Sequence, residues 1–419
     1  EAIKDMVVLD LSMDFTLSQT VPIANGTMKA YYNAPFGFPF AFRNASIRVD
    51  MGFNGTDIAH MVLPWMSILT LQEEEAFQVT VFNLPVHVTN AHQFSMFLLE
   101  LFLTKHTTAT LKGEADANVD THMGLVPMRD VPFDNVLQLN GTNRFQTPPV
   151  SVKDLNLVGG EPGFAYITLS LNITNPSSAS LLIGRLVLSL VYNDVYVGNG
   201  TIENMMFYKG LNTYTVQGVF IQLPSNIAAA REFLSEFIQG HSLPVSLQGT
   251  QWSTNLTLLQ PAMSALVAPA TLPGFSQKLI TYAQLFLDIS RLLLGQIPAQ
   301  LTVYNPFDAN IAITKVYVNV VYKDQIIALI DTNLESDPIV AQNRSYSVTR
   351  TMYGTIEGVS IDFFRTLTGT IKVTVNGTMD VMVGTGFRAT LDYVQHNISA
   401  GFANPPPHGA TLLADFEDS

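Results

Sequence analysis

Ten asparagines head Asn-X-Ser/Thr triplets: Asn25, Asn44, Asn54, Asn140, Asn172, Asn199, Asn255, Asn343, Asn376 and Asn397. The amide of such an asparagine can accept an N-linked oligosaccharide where the backbone is accessible. The chain holds 27 asparagines, so more than a third of them head an acceptor. Several lie in Asn-Gly-Thr, a turn sequence that exposes the amide. Asn172 and Asn255 fall in strand-like runs, where an outward polar strand residue is an equal reading. Cysteine is absent, so no disulfide forms. The acceptor density predicts an extracellular glycoprotein, secreted or held at the cell surface. It would carry covalent N-glycans and no other cofactor.

The remaining reactive residue types assemble no chemistry. His87 and His92 stand five apart, which does not put them on one helix face, and no His-Glu-x-x-His occurs. Glu114, Asp116, Asn118 and Asp120 alternate like a calcium loop but lack the glycine and terminal glutamate that an EF-hand requires. They read instead as the polar face of an exposed strand. Glu73-Glu74-Glu75 reads as a solvated loop. Gly384-Thr385-Gly386 has no third glycine, and no Gly-x-Ser-x-Gly is present. Fifteen methionines read as core filler. No metal site, cofactor site or catalytic group is expected, and the chain is read as not an enzyme.

The elements that carry these residues must be mainly strands. Hydrophobic residues make up 47% and charged residues only 13%, which excludes disorder. The net charge of −13 disfavours nucleic acid and anionic membrane surfaces as partners. The densest apolar stretch, Leu181 to Tyr192, is broken by Gly184, Arg185 and Ser189, so no integral membrane helix is expected. The chain opens on Glu1 in what reads as mature sequence, with a leader removed or left out.

An internal repeat organises the rest. Asn175-Pro176 recurs as Asn305-Pro306, and Val191-Tyr192-Asn193-Asp194 recurs as Val321-Tyr322-Lys323-Asp324, both at an offset of 130. A fainter upstream copy holds Tyr32-Asn33-Ala34-Pro35-Phe36, with Phe53-Asn54-Gly55 at the turn. Phe94, Phe97, Leu98, Leu101 and Phe102 share one helix face, capped by Asn90 with Gln93. Ala230, Phe233, Leu234, Phe237 and Ile238 repeat that spacing, and Ile361, Phe364 and Leu367 repeat it weakly. A glycine-bearing strand follows each helix, at Gly113, Gly249 and Gly377. The divisions are 1–145, 146–281 and 282–404, with Thr147-Pro148-Pro149 as a linker and 405–419 as a Pro-rich linker and extended tail.

Alternation within each copy predicts antiparallel hairpins. Leu186, Leu188 and Leu190 share a face, as do Val316, Val318 and Val320. Leu9, Leu11, Met13 and Phe15 are assigned one face of the first strand. Two half-buried sheets must cover each other, so the expected fold is three tandem antiparallel β-sandwich domains, each with a short amphipathic helix.

The runs Leu301 to Phe307 and Val316 to Asp324, with their parallels Leu169 to Pro176 and Leu186 to Asp194, resemble the group-two late-embryogenesis-abundant family, also called the water-stress-hypersensitive domain. The resemblance covers about half of the second and third copies and is loose in the first. It extends to secreted fungal and protist proteins with tandem copies of such domains. It implies a small sandwich with a helix, in which Asn-Pro turns the chain out of the first long strand. It implies no catalytic residue.

Two functions fit this outline. Inert, sugar-coated domains in tandem suit the subunit of a fibre or surface appendage, a self-assembling homopolymer grown head to tail by strand addition. The candidate assembly strand is Val7, Leu9, Leu11, Met13 and Phe15, and the tail Thr411 to Phe416 is a second candidate. The alternative is a lipid- or glycan-binding module, with Phe36, Phe38, Phe40 and Phe42 lining a pocket.

Overall fold

The computed structural model describes residues 3–18, 20–32, 40–71, 75–121, 123–145, 150–360, 363 and 369–403. The chain is mainly β. It divides into two compact units, where the repeat divides it into three. Unit 1 comprises 1–154, 169–218 and 244–271; unit 2 comprises 155–168, 219–243 and 272–419. The first copy lies wholly in unit 1 and the third wholly in unit 2. Segments of the second copy are shared between the units.

The first copy contains β1 (Ile3–Asp14), β2 (Ile23–Tyr32), β3 (Phe40–Phe53), β4 (Thr56–Ser67), β5 (Leu69–Leu71), β6 (Ala76–Pro85) and β7 (His87–Val88). After these come helix α1 (Ala91–Leu103), β8 (His106–Thr121) and β9 (Gly124–Asn140). The second copy contains β10 (Val150–Glu161), β11 (Phe164–Asn175), β12 (Ala179–Tyr192), β13 (Val195–Phe207) and β14 (Gly210–Ile221), then α2 (Ile227–Ile238), β15 (Leu243–Gln248), α3 (Gln260–Ser264) and β16 (Val267–Leu272). The third contains β17 (Ile280–Phe286), α4 (Ile289–Leu293), β18 (Gln296–Asn305), β19 (Ile311–Tyr322) and β20 (Gln325–Asn333). It ends with β21 (Ile339–Ala341), β22 (Ser345–Val348), β23 (Met352–Ile356), β24 (Thr370–Val383) and β25 (Phe387–Ala403).

The second and third copies close into rings, where sandwiches were expected. The second runs β10-β11-β14-β13-β12-β15-β16 and returns to β10. The third runs β17-β18-β23-β20-β19-β24-β25 and returns to β17. The order is the same strand for strand. Closure comes from a parallel pair between each copy's first and last strands, Val150 beside Ala270 and Tyr282 beside Ser399. A closed ring leaves no free edge.

The repeated motifs do the same work in both rings. Asn175 and Asn305 are buried, and each Nδ2 donates to the carbonyl four residues on, Ala179 or Ala309, at 2.8 Å. Each Oδ1 accepts the backbone N–H two residues on. The short side chain supplies hydrogen bonds that the following proline's neighbourhood lacks, so the turn is satisfied in a dry interior. Asn193-Asp194 and Lys323-Asp324 share φ values of 47° and 61°, and Asn54-Gly55 shows 49° and 77°. These are two-residue turns with both φ positive, whose twist matches the hairpin.

The first copy carries the same plan cut open. Its strands form β1-β2-β6, with β5 beyond, and β7-β4-β3-β8-β9. No ladder joins β6 to β4 or β9 to β1 among the described residues. The edge of β1 pairs instead, in parallel, with β12: Leu11 to Asp14 lie beside Ala179 to Leu182.

Helix packing follows the units. In unit 1, α1 buries Phe94, Phe97, Leu98, Leu101 and Phe102, and Asn90 accepts the Gln93 N–H as its cap. In unit 2, α2 buries Ala230, Phe233 and Phe237 and packs on β25, so a helix of the second copy serves the third. Arg231 grips Asp392 with two hydrogen bonds, and Ser235 accepts the Asp392 N–H at 2.9 Å. The weak helical pattern at Ile361, Phe364 and Leu367 lies outside the described residues. So do Glu73-Glu74, the linker Thr147-Pro148-Pro149 and the tail 405–419.

Candidate apolar ligand site

Between the two sheets of the first copy lies a cavity of about 160 Å³. Every wall belongs to unit 1. Strands β1, β2 and β6 supply one side, β3, β4, β8 and β9 the other, and Phe97 and Leu101 of α1 reach in from the helix. Among the described residues, Asp10 and Tyr32 are the only lining residues whose side chains carry nitrogen or oxygen.

Two residue classes make the hollow. Ala24, Gly26, Ala30, Ala45, Ala115 and Ala117 are too short to meet across the gap. Gly26 cannot be enlarged, because a Cβ there would fall 2.6 Å from the Asp10 carbonyl oxygen. Met6, Met13, Met28, Met51, Met61 and Met128 line the rest. Methionine has three rotatable bonds and a polarisable sulfur, so such a wall reshapes around a guest at little cost. Met6, Met28, Met51 and Met61 keep partial exposure although they face inward.

Backbone irregularity sets which residues face the cavity. A bulge at Leu9 shifts the β1–β2 register between Val8 and Asp10. Met6 and Val8 therefore join Leu11 and Met13 on the cavity wall, while Val7 and Leu9 turn outward, 41% and 42% exposed. Strict alternation had put Val8 opposite Leu11 and Leu9 beside it. The extra residue reverses the parity, which is what a bulge does.

An aromatic cluster stands at one end. The ring centroids of Tyr32 and Phe42 lie 5.5 Å apart, and those of Phe42 and Phe77 4.8 Å apart. Thr70 Oγ1 accepts the Phe42 N–H at 2.7 Å and ties β5 to β3. Burial, aided by the Glu75 carboxylate, raises the Tyr32 phenol above its ordinary pKa, so the ring stays neutral at this apolar end. Of the four alternating phenylalanines expected at a pocket, Phe42 lines this one; Phe36 and Phe38 lie outside the described residues.

The other expected sites fall elsewhere. None of the ten acceptor asparagines is buried. Asn54, Asn140, Asn255, Asn343, Asn376 and Asn397 are exposed. Asn25, Asn44, Asn172 and Asn199 are half-buried in strands, bonded to Asn83 N–H, Asn118, Thr213 and the Tyr196 hydroxyl. Asn255 lies in a turn before α3, where a strand was read. Of the assembly-strand residues, Met13 and Phe15 are buried and Leu11 is half-buried. The row from Glu114 to Asp120 lies on β8, where Arg48 pairs with Glu114 and Asp130, both at 3.0 Å. His87 and His92 lie on β7 and α1 and are exposed. Among the described residues no three histidines or acids gather as metal ligands.

The sequence reading offered a phenylalanine-lined pocket, but the methionine and small-residue lining of the cavity went unread. Nine of the fifteen methionines precede residue 146, and that density was the available signal.

Residues 58–190, from β4 to β12, match a family model described as a protein family of unknown function, DUF3712. No curated protein matches the chain. Among solved structures, the crystal structure of the Amycolatopsis orientalis exo-chitosanase CsxA is similar at 12% identity and a TM-score of 0.16. That similarity covers 61% of this chain and 26% of the chitosanase, so the chain spans about a quarter of that protein's length.

Proposed function

We propose that the first copy is a binding module for the apolar chain of a lipid, carried in an extracellular N-glycosylated protein built from three copies of one sandwich-derived plan. The observation that carries this is the apolar cavity with its methionine lining. An apolar cavity of about 150 Å³ binds benzene. One of 160 Å³ has room for a similar length of alkyl chain before its methionines move. Each methylene taken from water contributes about 0.8 kcal/mol. A glycan fits poorly, since its hydroxyls would meet only one carboxylate and one phenol and leave the rest of their hydrogen bonds unmade. Accessible acceptor asparagines support the extracellular part of the reading.

Head-to-tail assembly is the second reading, and the observation favouring it is β9. This 17-residue strand ends the five-stranded sheet and exposes Leu125, Val126 and Val136. Exchange of β1 is less favoured, because β1 is already laddered to β2 and β12 within the chain. Negative-stain images of the purified glycoprotein distinguish filaments from single particles.

Uptake of a fluorescent fatty acid tests the lipid reading. Ala117→Leu puts a side chain into the cavity from β8. We expect it to weaken uptake by roughly tenfold or more, the equivalent of at least ~1.4 kcal/mol, with thermal stability kept or raised. Uptake equal to the parent chain, or none in the parent, would sink the reading.

A further inference from the structure

Asn25 on β2 heads the acceptor triplet Asn25-Gly26-Thr27, and a phenylalanine stands across from it in the sheet. The β2–β6 ladder pairs Ala24 with Leu84 and Gly26 with Val81, so Asn25 opposes two residues, Phe82 and Asn83. That arrangement is a β-bulge. Ala24, Gly26, Val81 and Leu84 line the cavity, which leaves Asn25 and Phe82 on the outer face of the sheet. Phe82 is 78% exposed, more than any other described phenylalanine. A single exposed apolar side chain is ordinary, but this one adjoins a group that can carry sugar. The Asn83 N–H donates to Asn25 Oδ1 at 2.8 Å, and Asn83 takes a φ of 52° within the bulge. The bond uses the amide oxygen, so it persists when Nδ2 is glycosylated, and it holds the acceptor against the residue that follows Phe82. Thr27 and Thr80, whose hydroxyls lie 3.3 Å apart, continue the same face with polar groups.

We propose that Asn25 is an occupied glycosylation site and that Phe82 is the platform on which its first sugar, an N-acetylglucosamine, rests. This rests on the reading of the chain as an extracellular glycoprotein and singles out one acceptor of the ten. In the transfer, Nδ2 bonds to C1 of the sugar as the C1–O bond to a polyprenyl diphosphate donor breaks. The diphosphate leaves with that electron pair, and one amide proton passes to a base of the transferase. One face of the pyranose ring is lined by C–H groups, whose slightly positive hydrogens meet the negative face of the phenyl ring. Phe82 then gives up apolar surface that the bare chain leaves in water. The sugar spans β2 and β6 where the bulge interrupts their ladder. It braces the cavity wall, since Gly26 and Val81 form the next pair.

Glycopeptide mass spectrometry of the full chain from a eukaryotic secretory host tests this, with thermal denaturation of the same preparations. Asn25 should carry sugar. Thr27→Ala removes the acceptor triplet and leaves Asn25 in place. It should lower the unfolding midpoint by roughly 1–4 °C, and by less when combined with Phe82→Ser. Thr27→Ser keeps the triplet and Phe82→Tyr keeps a ring, so both should match the parent. Trimming every glycan to its first sugar should leave these differences intact. An equal loss from Thr27→Ala with and without Phe82→Ser, or a difference that vanishes on trimming, overturns the platform. A bare Asn25 on a chain whose other acceptors carry sugar overturns this proposal alone. Sugar on none of the ten overturns the glycoprotein reading with it.

Discussion

The first and third copies are the same seven-strand plan with opposite interiors. Cutting the third copy's ring between β23 and β20, and again between β25 and β17, reproduces the strand order of the first. Equivalent strands then present different residues. From β18 the third copy sends Ile297, Ala299, Leu301 and Val303 inward, and all are buried. From β2 the first sends Ala24, Gly26, Met28 and Ala30. A gap in the third copy's interior, lined by Leu285, Ile297, Ala299, Val320 and Ile327 among others, measures about 10 Å³, against about 160 Å³ in the first. Two changes act together. The ladders that would draw the sheets into a ring are missing, and the side chains that would fill the space are short or pliable. A closed ring brings opposite walls close enough for β-branched residues to interdigitate, whereas two separate sheets hold their distance and leave room between.

Three sets of substitutions would sharpen or break that contrast. The largest effect belongs to removing bulk. Ile327, 1% exposed on β20, lines the small gap of the third copy, and Ile327→Ala should cost about 2–5 kcal/mol in chemical denaturation. Met28→Ala on the hollow wall should cost under about 1.5 kcal/mol, since Met28 already has empty space on one side. Equal costs would mean the first copy is packed after all. Adding bulk comes next. Ala328→Leu beside Ile327 should overpack the ring and destabilise by roughly 1–3 kcal/mol, whereas Ala45→Leu in the cavity should be neutral or stabilise slightly. Thermal denaturation reads both, and a destabilised Ala45→Leu would count against the hollow.

The smallest effect is electrostatic and belongs to unit 2. Asp308 is held below the ordinary carboxylate pKa by hydrogen bonds from Arg344 and Asn156. A depressed folded pKa stabilises at pH values above the unfolded one and loses that contribution as pH falls through the folded value. Asp308→Asn should therefore remove a small part of the acid sensitivity below about pH 4, and leave stability at neutral pH nearly unchanged because both partners are exposed. Unfolding midpoints of parent and variant across pH 2–5 check this.

The turns of the second and third copies were more legible than the hollow of the first. Asn305-Pro306 and Lys323-Asp324 could be read because turn chemistry is local: a buried amide serving nearby carbonyls, and two positive φ angles in a row. Of the three glycines read as a repeat, Gly113 and Gly377 lie on strands β8 and β24 for a related reason, while Gly249 falls just past the end of β15. A Cβ at Gly113 or Gly377 would fall 1.9 or 2.1 Å from a carbonyl oxygen of the neighbouring strand, so both places demand glycine. Helix α1 was read from its apolar spacing. What escaped was non-local. Ring closure depends on pairing β17 with β25, strands more than a hundred residues apart, and nothing in either sequence marks it. The bulge at Leu9 carries no signature of its own and inverts the inward face of β1. The cavity is a sum over seven strands of residues that look unremarkable one by one, which is why the methionines passed for core filler.

The pairing of β1 with β12 also has a kinetic consequence. Leu11 meets Ala179, a partner 168 residues further along (179 − 11 = 168). Contacts so distant in sequence form late, after the loop between them has been closed. On the ribosome β1 can pair with β2 early, yet its second edge stays bare until β12 has emerged. The nascent chain thus displays an unfinished apolar sheet while the residues between Leu11 and Ala179 are made, and that interval is when premature aggregation or chaperone capture would strike.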